Sequence, residues 1–171
     1  MPAVLSRISA HTRAMHAVLP AGLARGHRGN PAASLKVEQL YGLPVLLSGL
    51  ASLVLSRSEL AAIDHHFKVS VEQLLRLYPG TPASFVYLTA GCLPASATLH
   101  QRQLCLLGMV ARQGPTSILH QWGTYILSNP PPSSRSPSSV PWFIQVKHLC
   151  QQYGLPDTLK LLHEAPPKGA W

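Results

Sequence analysis

Acidic residues are what this chain has least of. Six of its 171 residues are Asp or Glu, against 14 Lys and Arg. Charged residues make up 12% of the whole, about half the share usual in globular proteins. The six are Glu38, Glu59, Asp64, Glu72, Asp157 and Glu164. No two are adjacent, which excludes an Asp-Asp pair holding the metal ions of a polymerase or nuclease. No two are placed for acid–base work either, so the chain is read as non-catalytic. Cysteine is scarce too: Cys92, Cys105 and Cys150 are widely spaced and form no Cys-x-x-Cys pair. That pattern argues against a disulfide framework and for free thiols in an intracellular compartment, cytoplasmic or nuclear. Long hydrophobic runs are also missing. Leu43 to Leu55 spans 13 residues and is broken by Ser48, Gly49 and Ser52, where a membrane span needs about 20. The basic N-terminus leads into no apolar stretch before Pro20, so neither signal peptide nor membrane anchor is expected.

What is there is positive charge in acid-free stretches. The net charge is +8. Residues 1–37 carry Arg7, Arg13, Arg25, Arg28 and Lys36 and no acid. From Gln73 to Pro156 acids are again absent, while Arg76, Arg102, Arg112, Arg135 and Lys147 occur. Such surface is the electrostatic footprint of a phosphate-backbone partner. Within it, Ala21 to Pro31 (AGLARGHRGNP) is a glycine-rich loop whose amides and guanidinium groups can approach a phosphate closely. No Lys-Ser/Thr follows it, which excludes a nucleotide-binding P-loop. Arg25, His27 and Arg28 in this loop, with Arg102 and Arg112 on an outward helix face, are the candidate phosphate contacts.

The hydrophobic pattern is helical and shows no useful strand alternation. The clearest helix follows Ser56-Arg57-Ser58-Glu59, a capping-box sequence. Leu60, Ile63, Phe67, Val71, Leu74 and Tyr78 then recur at helical spacing, and Asp64, Lys68, Glu72 and Arg76 alternate in sign as on a solvated face. This helix is expected to stop at Pro79-Gly80. Val4 to Leu19 reads as a first helix with an arc of Val4, Leu5, Ile8, Met15, Val18 and Leu19. Ala32 to Tyr41 reads as a short helix capped near Gly42. Thr81-Pro82 restarts a helix that ends at Gly91. Pro94 opens another, with Leu99, Leu106, Leu107 and Val110 inward, Gln101, Gly108 and Arg112 outward, and Cys105 packed. Thr116 to Leu127 and Trp142 to Tyr153 are further helices, and Pro156 to Glu164 adds a turn or two.

The expected fold is all-α, an irregular bundle of about six to eight short helices. Its expected organisation is a basic N-terminal helix and loop (1–31), a helical core (32–128), a Pro/Ser linker (129–141) and a C-terminal helical segment (142–171). His65 and His66 are consecutive on a helix and point about 100° apart. His148, Cys150 and His163 lack a fourth ligand at finger-like spacing. No metal, cofactor or small-molecule substrate is therefore expected. Trp122, Tyr125, Trp142, Phe143 and Tyr153 lie among basic residues and can either stack on unpaired bases or pack in the core.

Several segments together resemble one family. Tyr41-Gly42-Leu43-Pro44-Val45-Leu46-Leu47-Ser48-Gly49 with its following apolar run, Leu77-Tyr78-Pro79-Gly80-Thr81-Pro82, Gly91-Cys92-Leu93-Pro94-Ala95, and Gln152-Tyr153-Gly154-Leu155-Pro156 are similar, in that order, to the region C-terminal to the palm of non-LTR (LINE-type) retrotransposon reverse transcriptases. The resemblance covers residues 14–163. It implies a thumb-like helical extension that grips RNA or an RNA/DNA primer-template, alongside the remainder of a reverse transcriptase. The Tyr-x-Asp-Asp palm motif has no counterpart, and Leu50-Ala51 stands where many relatives carry Glu after the Gly. The alternative expectation is a helical protein-interaction module, or a truncated retroelement fragment that self-associates.

Overall fold

The computed structural model describes residues 2–18, 30–130 and 141–165. Among them there is no strand, and the architecture is the expected all-α irregular bundle. Its helices are α1 (Pro2–Val18), α2 (Pro31–Val37), α3 (Leu43–Leu47), α4 (Arg57–Leu75), α5 (Ala83–Ala90), α6 (Ala95–Arg112), α7 (Ile118–Ser128), α8 (Trp142–Gln152) and α9 (Thr158–His163). Two compact units result: Met1–Leu50 with Arg57–Thr98, and Ala51–Ser56 with Leu99–Trp171. Much of the expected glycine loop and of the Pro/Ser linker lies outside the described residues.

In the first unit α1, α2 and α5 each pack on α4, and α1 also packs on α3. Ile63, Phe67, Val71 and Leu74 form the buried stripe of α4. Tyr78 does not join it, because the helix ends at Leu75 and leaves Tyr78 88% exposed. Tyr78 precedes Pro79, and a residue before proline is driven out of the helical region. The chain turns earlier still, at Arg76 with φ 57°. The N–H of Arg76 donates to Gln73 and that of Leu77 to Glu72 (3.3 and 2.9 Å), a Schellman closure made without glycine.

The alternating charges of α4 are not a solvated ladder. Glu72 is 5% exposed and paired with Lys68 at 2.9 Å. Asp64 accepts from the backbone N–H and hydroxyl of Ser96 (2.8 and 2.6 Å). It thus places a carboxylate at the positive N-terminal end of α6.

Gly42 also departs from expectation. It is helical, φ −61° and ψ −56°, and caps nothing. A π-helical turn, Glu38–Gly42, joins α2 to α3, with the N–H of Leu43 donating to the carbonyl of Glu38. The ring of Pro44 would crowd the carbonyl of Leu40 in an α-helix, and the wider turn removes that conflict. Gly42 is required by proximity: a Cβ there would lie 2.7 Å from Oε2 of Glu38 and 2.8 Å from Sδ of Met15.

The second unit is built around Leu107, Val110, Leu127, Phe143, Val146 and Leu162, drawn from α6, α7, α8 and α9. The apolar run Leu43 to Leu55 does not continue as an α-helix beyond α3. Leu50–Ser52 is a 3₁₀ turn and 53–56 is non-helical. Side-chain donors hold this segment by its carbonyls: Trp142 Nε1–H to Ala51 (2.8 Å), Gln103 to Leu53 (3.3 Å) and Gln145 to Leu55 (3.2 Å). On α6, Gly108 is buried and Cys105 exposed, the reverse of the expected faces. The buried arc runs through Leu99, Gln103, Leu107 and Val110, which turns Cys105 outward.

Gly123 lies inside this core, where a Cβ would stand 2.6 Å from Cε1 of Phe143. Gly123→Ala is therefore expected to destabilise the second unit by about 1–3 kcal/mol, although alanine is the better helix former by about 1 kcal/mol. Urea unfolding checks this, and Gly123→Ala with Phe143→Leu should recover part of the loss.

Candidate functional site

Several carboxylates are engaged within their own unit. Besides Asp64 and Glu72, Asp157 caps α9 by accepting from the N–H of Leu159 (3.2 Å), and Glu164 lies 4.0 Å from Lys160. Glu38 is fully buried. Arg13, Lys36, Arg57, Arg76 and Arg112 are exposed residues.

Arg112 stands at the exposed C-terminal end of α6, and Arg102 is half-buried on the same helix. Their ten-residue separation places them about 15 Å apart along the axis and about 80° apart around it. Arg25, His27 and Arg28 lie outside the described residues.

The aromatic candidates divide by burial. Phe143 is core, and Trp142 is half-buried with its indole N–H committed to Ala51. Tyr153 is partly exposed, and its hydroxyl lies 2.9 Å from Nδ1 of His100. Trp122 and Tyr125 are 55% and 60% exposed, and their rings stack with centroids 6.1 Å apart. They share a face of α7 with the exposed Ile118 and Leu119, while Gly123 and Leu127 point into the core. α7 thus carries a second apolar face turned to solvent, in the middle of the acid-free stretch.

The first unit holds a site that the sequence reading did not assemble. His11 is 1% exposed. Its Nε2–H donates to Oε1 of Glu38 (2.8 Å), and its Nδ1 lies 2.9 Å from Nε2 of His66, one proton bridging the two rings. Oε2 of Glu38 has no hydrogen-bond partner among the described residues. The chain Glu38–His11–His66 leads from the core to a cavity of about 260 Å³, lined also by Thr12, Met15, His16, Val69, Ser70 and Gln73. Periodicity carries a signal for both missed residues. His11 lies seven residues after Val4 and four before Met15, on the buried face of α1. Glu38 falls on the buried line Leu35, Glu38, Gly42, Leu46. An acid and a histidine on two apolar faces are a candidate pair.

Burial lowers the pKa of His66, and the neighbouring His11 lowers it further, against an opposing contribution from Glu38. Burial raises the Cys92 thiol, with Glu38 adding to the effect, and raises the Tyr87 hydroxyl, with Asp64 adding. The His66 shift has a signed consequence. The unfolded chain takes up a proton near the ordinary value of 6.5, while the folded chain resists it to lower pH, so the unfolded state binds more protons in between. The stability tied to neutral His66 is complete above about pH 6.5 and is lost as pH falls through that window. Melting temperatures of chelator-treated protein between about pH 5 and 8 should show this loss, and His66→Gln should flatten it.

Among the described residues no helix is long and apolar enough to cross a membrane. Comparisons of the chain with protein-family models, curated proteins and solved structures find no match.

Proposed function

We propose that the chain is a non-catalytic nucleic-acid-binding protein that grips the backbone of RNA or an RNA/DNA primer-template. The observation that carries this reading is the disposal of charge. Acids are few, and two of the six, Glu38 and Glu72, are buried. The net +8 is carried largely by residues 1–37 and 73–156, which contain no acid. Arg102 and Arg112, with Arg25, His27 and Arg28, supply the phosphate contacts. The exposed Trp122–Tyr125 pair adds a stacking platform, and an aromatic platform beside cations is how unpaired bases are held without sequence preference. Descent from the post-palm region of a LINE-type reverse transcriptase belongs to the same proposal, supported by the ordered set of motifs. So does an intracellular location, supported by three free cysteines.

Filter binding to single-stranded RNA at several salt concentrations tests it. Affinity should fall steeply with salt, and Arg102→Ala with Arg112→Ala should reduce the logarithmic slope by about 1.4, at about 0.7 per phosphate contact on a single strand. Trp122→Ala should cost about 1–3 kcal/mol of binding with the slope nearly unchanged. Absence of binding at low salt, or indifference to these changes and to Arg25→Ala with Arg28→Ala, would sink the proposal. The stripe of Ile118, Leu119, Trp122 and Tyr125 favours a second reading, a helical interaction module or self-associating fragment. That reading predicts concentration-dependent elution on sizing chromatography and little affinity for RNA.

A further inference from the structure

We infer that His11 and His66 form a binding site for a divalent cation of the zinc class, with Glu38 as the outer-shell carboxylate that orients His11. The inference is independent of nucleic-acid binding. Three observations carry it. First, His11 Nδ1 and His66 Nε2 face each other at 2.9 Å although they come from helices α1 and α4, 55 residues apart in sequence. Two imidazoles on a tetrahedral zinc ion, each about 2.0–2.1 Å from the metal, hold their nitrogens about 3.3 Å apart. The pair needs to open by only about 0.4 Å to admit an ion. Second, the other nitrogen of His11 donates to a buried carboxylate at 2.8 Å, the arrangement that fixes tautomer and ring orientation in metal-binding histidines. Third, Glu38 is fully buried, and its Oε2 has no hydrogen-bond partner among the described residues. A buried carboxylate in that state gains from a cation nearby.

Among the described residues no three His, Cys, Asp or Glu are grouped as ligands. The protein therefore supplies two imidazoles, and water from the adjoining cavity completes the coordination. Imidazole donors suit zinc, copper and nickel over magnesium or calcium. Binding requires the proton that bridges the two rings to move from Nε2 to Nδ1 of His66, so that both facing nitrogens offer a lone pair.

Titration of the chelator-treated full chain with zinc by calorimetry, and with cobalt by visible absorption, tests this. The expected result is one ion bound per chain with a rise in melting temperature. His66→Ala should weaken binding at least tenfold, and Glu38→Gln by about 10- to 100-fold. His66→Cys should restore binding and add a thiolate-to-cobalt absorption band, which a merely structural role would not produce. His163→Ala, at the His120–His163 pair of the second unit, should change nothing. Because Glu38→Gln alters the core, the half-buried His66 variants decide the matter if it fails to fold. Absence of zinc or cobalt binding, or full affinity retained in His66→Ala, overturns the inference.

Discussion

Replacing Glu38 with alanine should destabilise the first unit by about 2–4 kcal/mol, through an unsatisfied buried donor and the void left behind. The truncation leaves the Nε2–H of His11, 1% exposed, without its acceptor in a place water does not reach. It also opens a void beside Met15 and Gly42, which crowd the Glu38 carboxyl end. Glu38→Gln should cost less, about 1–2 kcal/mol, because its carbonyl can still accept from His11. Gly42 itself offers a companion test, since Gly42→Ala introduces a methyl group at the same point. Urea unfolding followed by circular dichroism reads all three. A Glu38→Ala variant within about 1 kcal/mol of the parent would show that the pair adds little to stability.

The second large effect is expected at Phe67. Its ring is fully buried at the centre of the α4 stripe, between Ile63 and Val71, and stacks with Tyr87 of α5 at a centroid distance of 6.2 Å. Phe67→Ala should cost about 3–5 kcal/mol through lost burial and the cavity left behind. That is comparable with the whole stability of a small domain, so partial unfolding at ordinary temperature is the anticipated outcome. Phe67→Leu, which keeps most of the volume, should cost roughly half as much. A Phe67→Ala protein that melts within a few degrees of the parent would mean that the described packing of α4 is wrong.

The class of the fold, and the places where most helices begin and end, are legible in local pattern. Apolar residues recur at three and four, proline and glycine punctuate them, and both signals act over a single turn of backbone. Gly91 and Gly154 close α5 and α8 with φ of 61° and 64°, as a residue without a side chain can do at little cost. α4 starts directly after Ser56, and its stripe from Ile63 to Leu74 is buried.

What the polar residues do depends on which elements pack against them. Asp64 and Glu72 lie on one side of α4 and read as solvated until α6 arrives at Asp64 and burial reaches Glu72. Arg76 adopts the left-handed turn that local preference would give to glycine. Trp122 and Phe143 are both aromatics on amphipathic helices, yet one is exposed and the other fills the space left by Gly123. The Glu38–His11–His66 chain joins residues from three distant segments. Helical periodicity can place each on a buried or half-buried face, but it cannot say which faces meet. That choice is made by packing, which brings the His11 imidazole within hydrogen-bond distance of one oxygen of the buried carboxylate.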